Sequence, residues 1–480
     1  MMGRRRANLV VAVSITVLIA GGLLAYLWWP HHASVAWGRA TTLRGAPGVN
    51  LGSSADLYSL SCSSPGDCSA VGSYSVKVNH NRAIIVTERR GQWGKVEVLP
   101  GLSAREEQLN TGASVVSCSA PGDCSAGGTY AAGDNQLLPF VANESDSVWG
   151  RVQKVRGVST FGTGYFAYLS AISCASPGDC SAGGGISGAN GARAFVVSEV
   201  RGSWGPFELV AGPSTHAMEG SGISSMSCSA PGDCSAVGTE QKGSVPLPAF
   251  AVSETNGVWG RAKVIPGLAA LTPGGSDYTI SLSCAAVGSC GASGTFRAQT
   301  GVTQSFLVDE AHGVWGRAFD IPGIVALDGR HLEQLHSISC GAPGDCVAGG
   351  SYGTGSYQRA FLVSEVRGRW GMAMPISGLS ALNRGHFTSV VDISCGSAGN
   401  CGVIGSYTGK GGYVQSFALN ETSDAWGGVT EVGASSFPGA VGAQVNAISC
   451  NASSSCAIVG VVFGSKSSGA IFVQSTRPTG

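Results

Sequence analysis

Three histidines and three carboxylates crowd into two short stretches of a chain that is otherwise poor in charge. One stretch holds Asp328, Arg330, His331, Glu333 and His336, and the other holds Arg384, His386 and Asp392. Only 12% of the 480 residues are charged and 8 are histidine, so the local density stands out. Two carboxylates can cleave a glycosidic bond when they flank it about 5–5.5 Å or about 6.5–9.5 Å apart. Imidazole and carboxylate together also suit a transition metal or a polar ligand. No motif fixes either chemistry. The chain contains no Gly-x-Ser-x-Gly, no His-Glu-x-x-His and no phosphate-binding Lys-Ser/Thr loop. The eight residues are therefore expected to bind a ligand, with no catalytic residue, metal ligand or cofactor assigned.

What must position them is a repeat. All 16 cysteines fall into Cys-x5-Cys pairs: Cys62/Cys68, Cys118/Cys124, Cys174/Cys180, Cys228/Cys234, Cys284/Cys290, Cys340/Cys346, Cys395/Cys401 and Cys450/Cys456. First members lie 54 to 56 residues apart, and such a period has to be read before any local feature. Five copies carry Pro-Gly-Asp between the cysteines, as at Pro65-Gly66-Asp67. Pro and Gly supply turn dihedrals and Asp bonds nearby backbone N–H groups, so each pair should staple one hairpin turn with a disulfide. Zinc is the poorer reading, because the repeat offers two thiolates and no further ligands.

Each unit reads as four strands. In the third copy these run from Tyr168 to Cys174, Cys180 to Gly184, Ala194 to Glu199 and Trp204 to Val210. No stretch after residue 30 shows an apolar period of 3.6, so helices should be scarce. Four strands per unit of about 55 residues point to a β-propeller rather than a parallel β-helix, whose coils are shorter. The Trp-Gly pairs at Trp37, Trp93, Trp149, Trp204, Trp259, Trp315, Trp370 and Trp426 are offset from the cysteines. The first precedes the first cysteine pair, and the last cysteine pair has none after it. An all-β, eight-bladed ring follows, with Trp37–Leu43 completing the last blade beside residues 470–474. An open solenoid would leave both edges bare.

A glutamate recurs before the third turn at Glu88, Glu144, Glu199, Glu254, Glu310, Glu365 and Glu421. Catalysis rarely needs a carboxylate in every unit. Each is expected to accept N–H bonds of its own turn. The tryptophans are expected to pack between blades. Sequons at Asn143 and Asn420 fall on the residue before that glutamate. The cysteine and Trp-Gly turns should share one uniform face, and the variable links and second turns the other. Loops on a rigid scaffold are the usual place for binding residues.

Arg4, Arg5 and Arg6 precede an apolar run from Ala7 to Trp29. Its length suits a membrane span of roughly 20 residues, with the arginines inside and the rest outside. The expected order is a cytoplasmic basic tail over 1–6, a transmembrane anchor over 7–29, a linker over 30–36 and the propeller over 37–480. The alternative is secretion after cleavage near Ala36. Basic and acidic residues balance at 29 each, which excludes the basic excess of a nucleic-acid binder.

The stretch Ser198-Glu199-Val200-Arg201-Gly202-Ser203-Trp204 resembles the Asp-box hairpin of sialidase-type propellers. It departs from it by Glu for Asp, by the missing Thr before Trp and by one residue of spacing. Over 37–480 the repeat, with its Ser-Cys-x-x-Pro-Gly-Asp-Cys turn, resembles secreted repeat proteins of actinobacterial type, which implies no activity. The expected role is a membrane-anchored binding or interaction module for an extracytoplasmic protein or glycan. The alternative is a cell-surface glycan-processing enzyme of sialidase-like architecture.

Overall fold

The computed structural model describes residues 36–476 except 46–48, 50–54, 78–79, 103–105, 107–109, 133–135, 159–165, 189–190, 213–221, 243–244, 272–275, 299–300, 329–332, 355–356, 452–454 and 466–468. Val35–Gly480 forms one compact unit. It is an eight-bladed propeller of antiparallel sheets. Blade three shows the pattern: Phe166–Ser176, Asp179–Gly188 and Gly191–Val200 pair in order, and the outer strand follows in two pieces, Ser203–Trp204 and Glu208–Leu209. Both pieces pair with the third strand.

The sequence suggested one continuous outer strand, and the break has a physical reason. Between the pieces the chain leaves its own blade and bonds the link of the preceding one. Phe207 N donates to Arg156 O at 3.1 Å, Ala262 N to Ala211 O at 2.8 Å and Ala373 N to Pro322 O at 2.7 Å. These bonds fasten the rim of the ring.

The third strands are apolar without alternation because both sheet faces are buried between neighbours. In blade three Phe195 and Val197 pack with Val141 of blade two, whereas Ala194 and Val196 pack with residues of blade four. The inner strands carry a bulge, between Leu169 and Ala171 in this blade. The bulge presses a carbonyl against the second strand, and only glycine fits there. A Cβ on Gly184 would lie 1.8 Å from Tyr168 O, and one on Gly128 2.0 Å from Gly112 O.

The ring closes through the N-terminal segment. Thr41 and Thr42 pair with Val473 and Phe472, and Trp37 bridges to Thr476. The cysteine and Trp-Gly turns do share a face, since Gly91 N donates to Gly66 O and Gly202 N to Gly178 O, each at 2.9 Å.

All eight cysteine pairs are disulfides within single hairpins. Such bonds persist in an oxidising, extracytoplasmic setting. Besides stapling its hairpin turn as expected, each bridge reaches into the core. The second cysteine of each pair is buried, Cys68, Cys124, Cys401 and Cys456 among them, so these residues belong to the core. The reason is that the second strand of a blade is covered by the blade before it. Cys68 packs with Ala457 and Val459 of blade eight, and Cys401 with Val347 of blade six. Cys124 Sγ lies 3.6 Å from Ser69 Oγ of blade one, and Cys456 Sγ 3.6 Å from Asn420 Nδ2 of blade seven.

Among the described residues the α-helices are short: Leu268–Leu271, Ile324–Asp328 and Leu379–Leu382, each in a blade link. No helix among the described residues is long and apolar enough to cross a membrane. The anchor expected over 7–29 lies outside the described residues.

Candidate functional site

The repeated glutamates are buried, but their partners differ from the expectation. Glu144, Glu199 and Glu254 accept hydrogen bonds from the preceding blade rather than from their own turn. Ser181 Oγ donates to Glu254 Oε2 and Ser198 Oγ to Glu254 Oε1, each at 3.0 Å. Ser69 reaches Glu144 at 3.4 Å, and Ser125 and Asn143 both reach Glu199. The indoles join the same seams. Trp204 Nε1 donates to Asn143 Oδ1 at 2.8 Å, Trp259 Nε1 to Ser198 Oγ at 3.0 Å and Trp149 Nε1 to Thr87 Oγ1 at 3.1 Å. Asn143 and Asn420 are thus seam residues, Asn420 holding Trp37 Nε1 at 2.9 Å.

Burial pushes Glu88, Glu199, Glu365 and Glu421 up to about 7. A raised acid pKa means the folded chain holds protons that the unfolded chain releases near pH 4.5. The stabilisation is complete below that pH and is lost as the pH rises through about 7. The propeller should therefore melt higher at pH 5 than at pH 8, as differential scanning fluorimetry can read. Glu199→Gln should shrink the difference. A melting temperature that climbs from pH 5 to pH 8 contradicts this.

The residues singled out in the links meet different fates. Glu333 is buried, and its Oε1 accepts Ser305 N of blade five at 3.1 Å. Thr111 and Thr388 accept Ala83 N and Ala360 N in the same way. Asp392 spans three blades. Its Oδ1 takes Ser337 Oγ and Ile393 N, each at 2.9 Å, and its Oδ2 takes Ile448 N of blade eight at 3.1 Å. Ser59 and Ser225 fill the equivalent role at Val116 N and Leu282 N. Burial raises the Asp392 carboxyl to about 6. His336 is exposed on the inner-strand bulge of blade six, where partial desolvation lowers its pKa.

Arg384 and His386 are exposed on the link into blade seven. The His386 ring stacks on Tyr357 with centroids 4.1 Å apart and planes at 30°, and its carbonyl accepts Gln358 N at 2.8 Å. Asp328 ends the short helix Ile324–Asp328. Arg330 and His331 lie outside the described residues. Among the described residues no hydrogen bond or ion pair joins His336, Arg384, His386 and Asp392 to one another, and no group of three His, Cys, Asp or Glu is placed to hold a metal.

Aromatic side chains are what the link-centred reading overlooked. Tyr357, in the second hairpin of blade six, is 61% exposed, so most of its ring meets solvent. Tyr413 is exposed in the matching hairpin of blade seven. On the inner strands Tyr58, Phe166 and Tyr168 are also exposed, the last two 5.8 Å apart. The signal was an aromatic in a variable hairpin, next to the links rather than in them.

No family model matches the chain, and no curated protein does. Similar solved structures include Ulvanlyase, from a new family of polysaccharide lyase, at 9% identity and TM-score 0.44, covering 92% of this chain and 94% of that one. A Hadza microbial sialidase matches at 8% and 0.41, over 82% and 68%. Trypanosoma rangeli sialidase matches at 10% and 0.34, over 79% and 56%. Sialidase-type propellers are thus among the similar structures. The likeness is weak and carries no functional argument.

Proposed function

We propose that this protein is an extracytoplasmic binding module that takes a glycan on its link and second-hairpin face, held at the membrane by residues 7–29. The observation that carries the reading is the exposed Tyr357–His386 stack, with Tyr413 in the matching hairpin of the next blade. Aromatic faces that are left in water on a rigid scaffold suit the apolar faces of sugar rings. The glycan-processing alternative needs two available carboxylates. Glu333 and Asp392 already hydrogen-bond across the blade seams, which favours binding over cleavage.

The test is a glycan array with the disulfide-intact Val35–Gly480 fragment. A retained glycan class is expected, with binding at least about tenfold weaker in Tyr357→Ala/His386→Ala, or roughly 1.4 kcal/mol. These are exposed side chains, so the variant should melt like the parent. Equal binding by parent and variant rejects this surface. Turnover of the bound glycan favours the enzyme, and capture of a protein with no glycan bound points to an interaction module of another kind.

A further inference from the structure

The seam between blades five and six departs from the chemistry of the seams between blades two and three and between blades three and four. At those two seams a blade offers its neighbour's glutamate two donors: the serine after its second cysteine and the neutral residue before its own glutamate. Ser181 and Ser198 serve Glu254 in this way, and Ser125 and Asn143 serve Glu199. In blade five those two positions hold Gly291 and Asp309. Glu365 therefore loses both donors and faces a second carboxylate. It is 6% exposed, and no hydrogen bond to its carboxylate is found among the described residues. Asp309 accepts Trp370 Nε1 at 3.1 and 2.9 Å, and its charge, with that of Asp345, opposes ionisation of Glu365.

A cleft of about 340 Å³ opens here on the cysteine face, lined by Asp309, Ala311, Gly344, Glu365 and Gly368. Clefts of about 370 and 340 Å³ also mark the seams between blades three and four and between four and five. There Glu254 and Glu310 already bond to serines. Size does not set the blade-five seam apart; the carboxylate of Asp309, at the position that holds a neutral residue in the other blades, does.

The seam between blades one and two shows what fits. Arg89, the residue after the blade-one glutamate, extends its guanidinium to Glu144 Oε1 at 2.7 Å and donates to Ser147 O. By repeat position Arg89 corresponds to Ala311, Glu144 to Glu365 and Ser147 to Gly368. Ser147 and Gly368 share the left-handed backbone, with φ of 70° and 74°. The blade-five seam thus keeps the acceptors of a guanidinium site, adds the Asp309 carboxylate and lacks the arginine.

We propose that the cleft between blades five and six binds a guanidinium group, supplied by an arginine side chain of a partner protein. Planar guanidinium matches paired carboxylate and carbonyl acceptors better than a point charge does. The site lies on the face opposite the proposed glycan surface, so neither reading depends on the other.

Agmatine and a capped Gly-Arg-Gly peptide, titrated calorimetrically into the Val35–Gly480 fragment, test it. Both should bind, and the neutral ureido analogue of agmatine should not. Asp309→Ser restores the neutral donor seen at Ser198, so it should fold, and should weaken binding at least about tenfold. Ala311→Arg should reproduce Arg89 internally, raising the melting temperature and abolishing agmatine binding. Agmatine binding that survives both substitutions, or that is absent from the parent, overturns the site. Binding of agmatine but not of the peptide overturns the partner arginine in favour of a free small molecule.

Discussion

A fragment that begins at Ala46 should melt at least about 5 °C below one that begins at Val35, because the ring opens. The missing segment is bound at both ends. Gly38 N donates to Ser475 O at 2.8 Å, and Leu43 N to Ile471 O at 3.1 Å. Gln474 Nε2 reaches Gly38 O at 2.8 Å. Ala40 is buried and bonds Ser436 Oγ at 2.9 Å, while Trp37 reaches Asn420 of blade seven. Arg44 O accepts Val96 N of blade one at 2.8 Å, so the segment also ties the eighth blade to the first. Each such bond is worth about 1 kcal/mol net, and their loss leaves the third strand of blade eight as a bare edge. Trp37→Phe removes one bond and keeps the strand, so its effect should be about 1 kcal/mol. Melting curves and size exclusion report the outcome. A truncated fragment that stays monomeric and melts with the parent would falsify the closure.

Reduction of the disulfides should produce the second large effect. Each bridge joins cysteines six residues apart in sequence and directly opposite in their hairpin, with Cα atoms 3.9–4.0 Å apart. Closing so short a loop contributes about 2 kcal/mol in the chain-entropy picture. The bridges also wedge between blades. Cys180 Sγ lies 3.3 Å from Ser125 Oγ, and Cys450 and Cys456 Sγ pack against Gly402 of the preceding blade. Loss of the bonds therefore loosens hairpins and seams together. The reduced Val35–Gly480 fragment should unfold at a clearly lower denaturant concentration than the oxidised one, without release of metal. Peptide mapping before reduction should recover eight local bridges. Coincident unfolding curves, or peptides that link different blades, would contradict this account.

The repeat, its strands, the bridges and the closing segment were legible because each rests on local chemistry. Turn residues between paired cysteines define a hairpin, and a displaced Trp-Gly register defines a missing strand. The split of the outer strand was not legible. The short chain between its halves pairs with another blade, and nothing in Gly205-Pro206-Phe207 announces that partner. The burial of Cys68, Cys124, Cys401 and Cys456 was hidden for the same reason, since the cover comes from the blade before.

The candidate site was read with less success on the same ground. Glu333 and Asp392 stand out in a charge-poor chain, yet each replaces a threonine or serine that pins neighbouring blades elsewhere in the ring. Rarity marked them, and only packing assigned their bonds. Tyr357 drew no attention until the link into blade seven lay beside it and brought His386 onto its ring.

The sequence by itself determined an eight-fold β repeat, closed by its own N-terminal strand and stapled within each hairpin. These features follow from dihedral preference, apolar pattern and cysteine spacing inside one unit. The tertiary structure alone decided which side chains meet across the seams. Those contacts join residues well apart in sequence, 28 positions for Ser305 and Glu333 and 75 for Ser69 and Glu144. They depend on how one blade is set against the next. A glutamate that looks the same in every copy is therefore satisfied at one seam and left facing another acid at the next, as at Glu254 and Glu365.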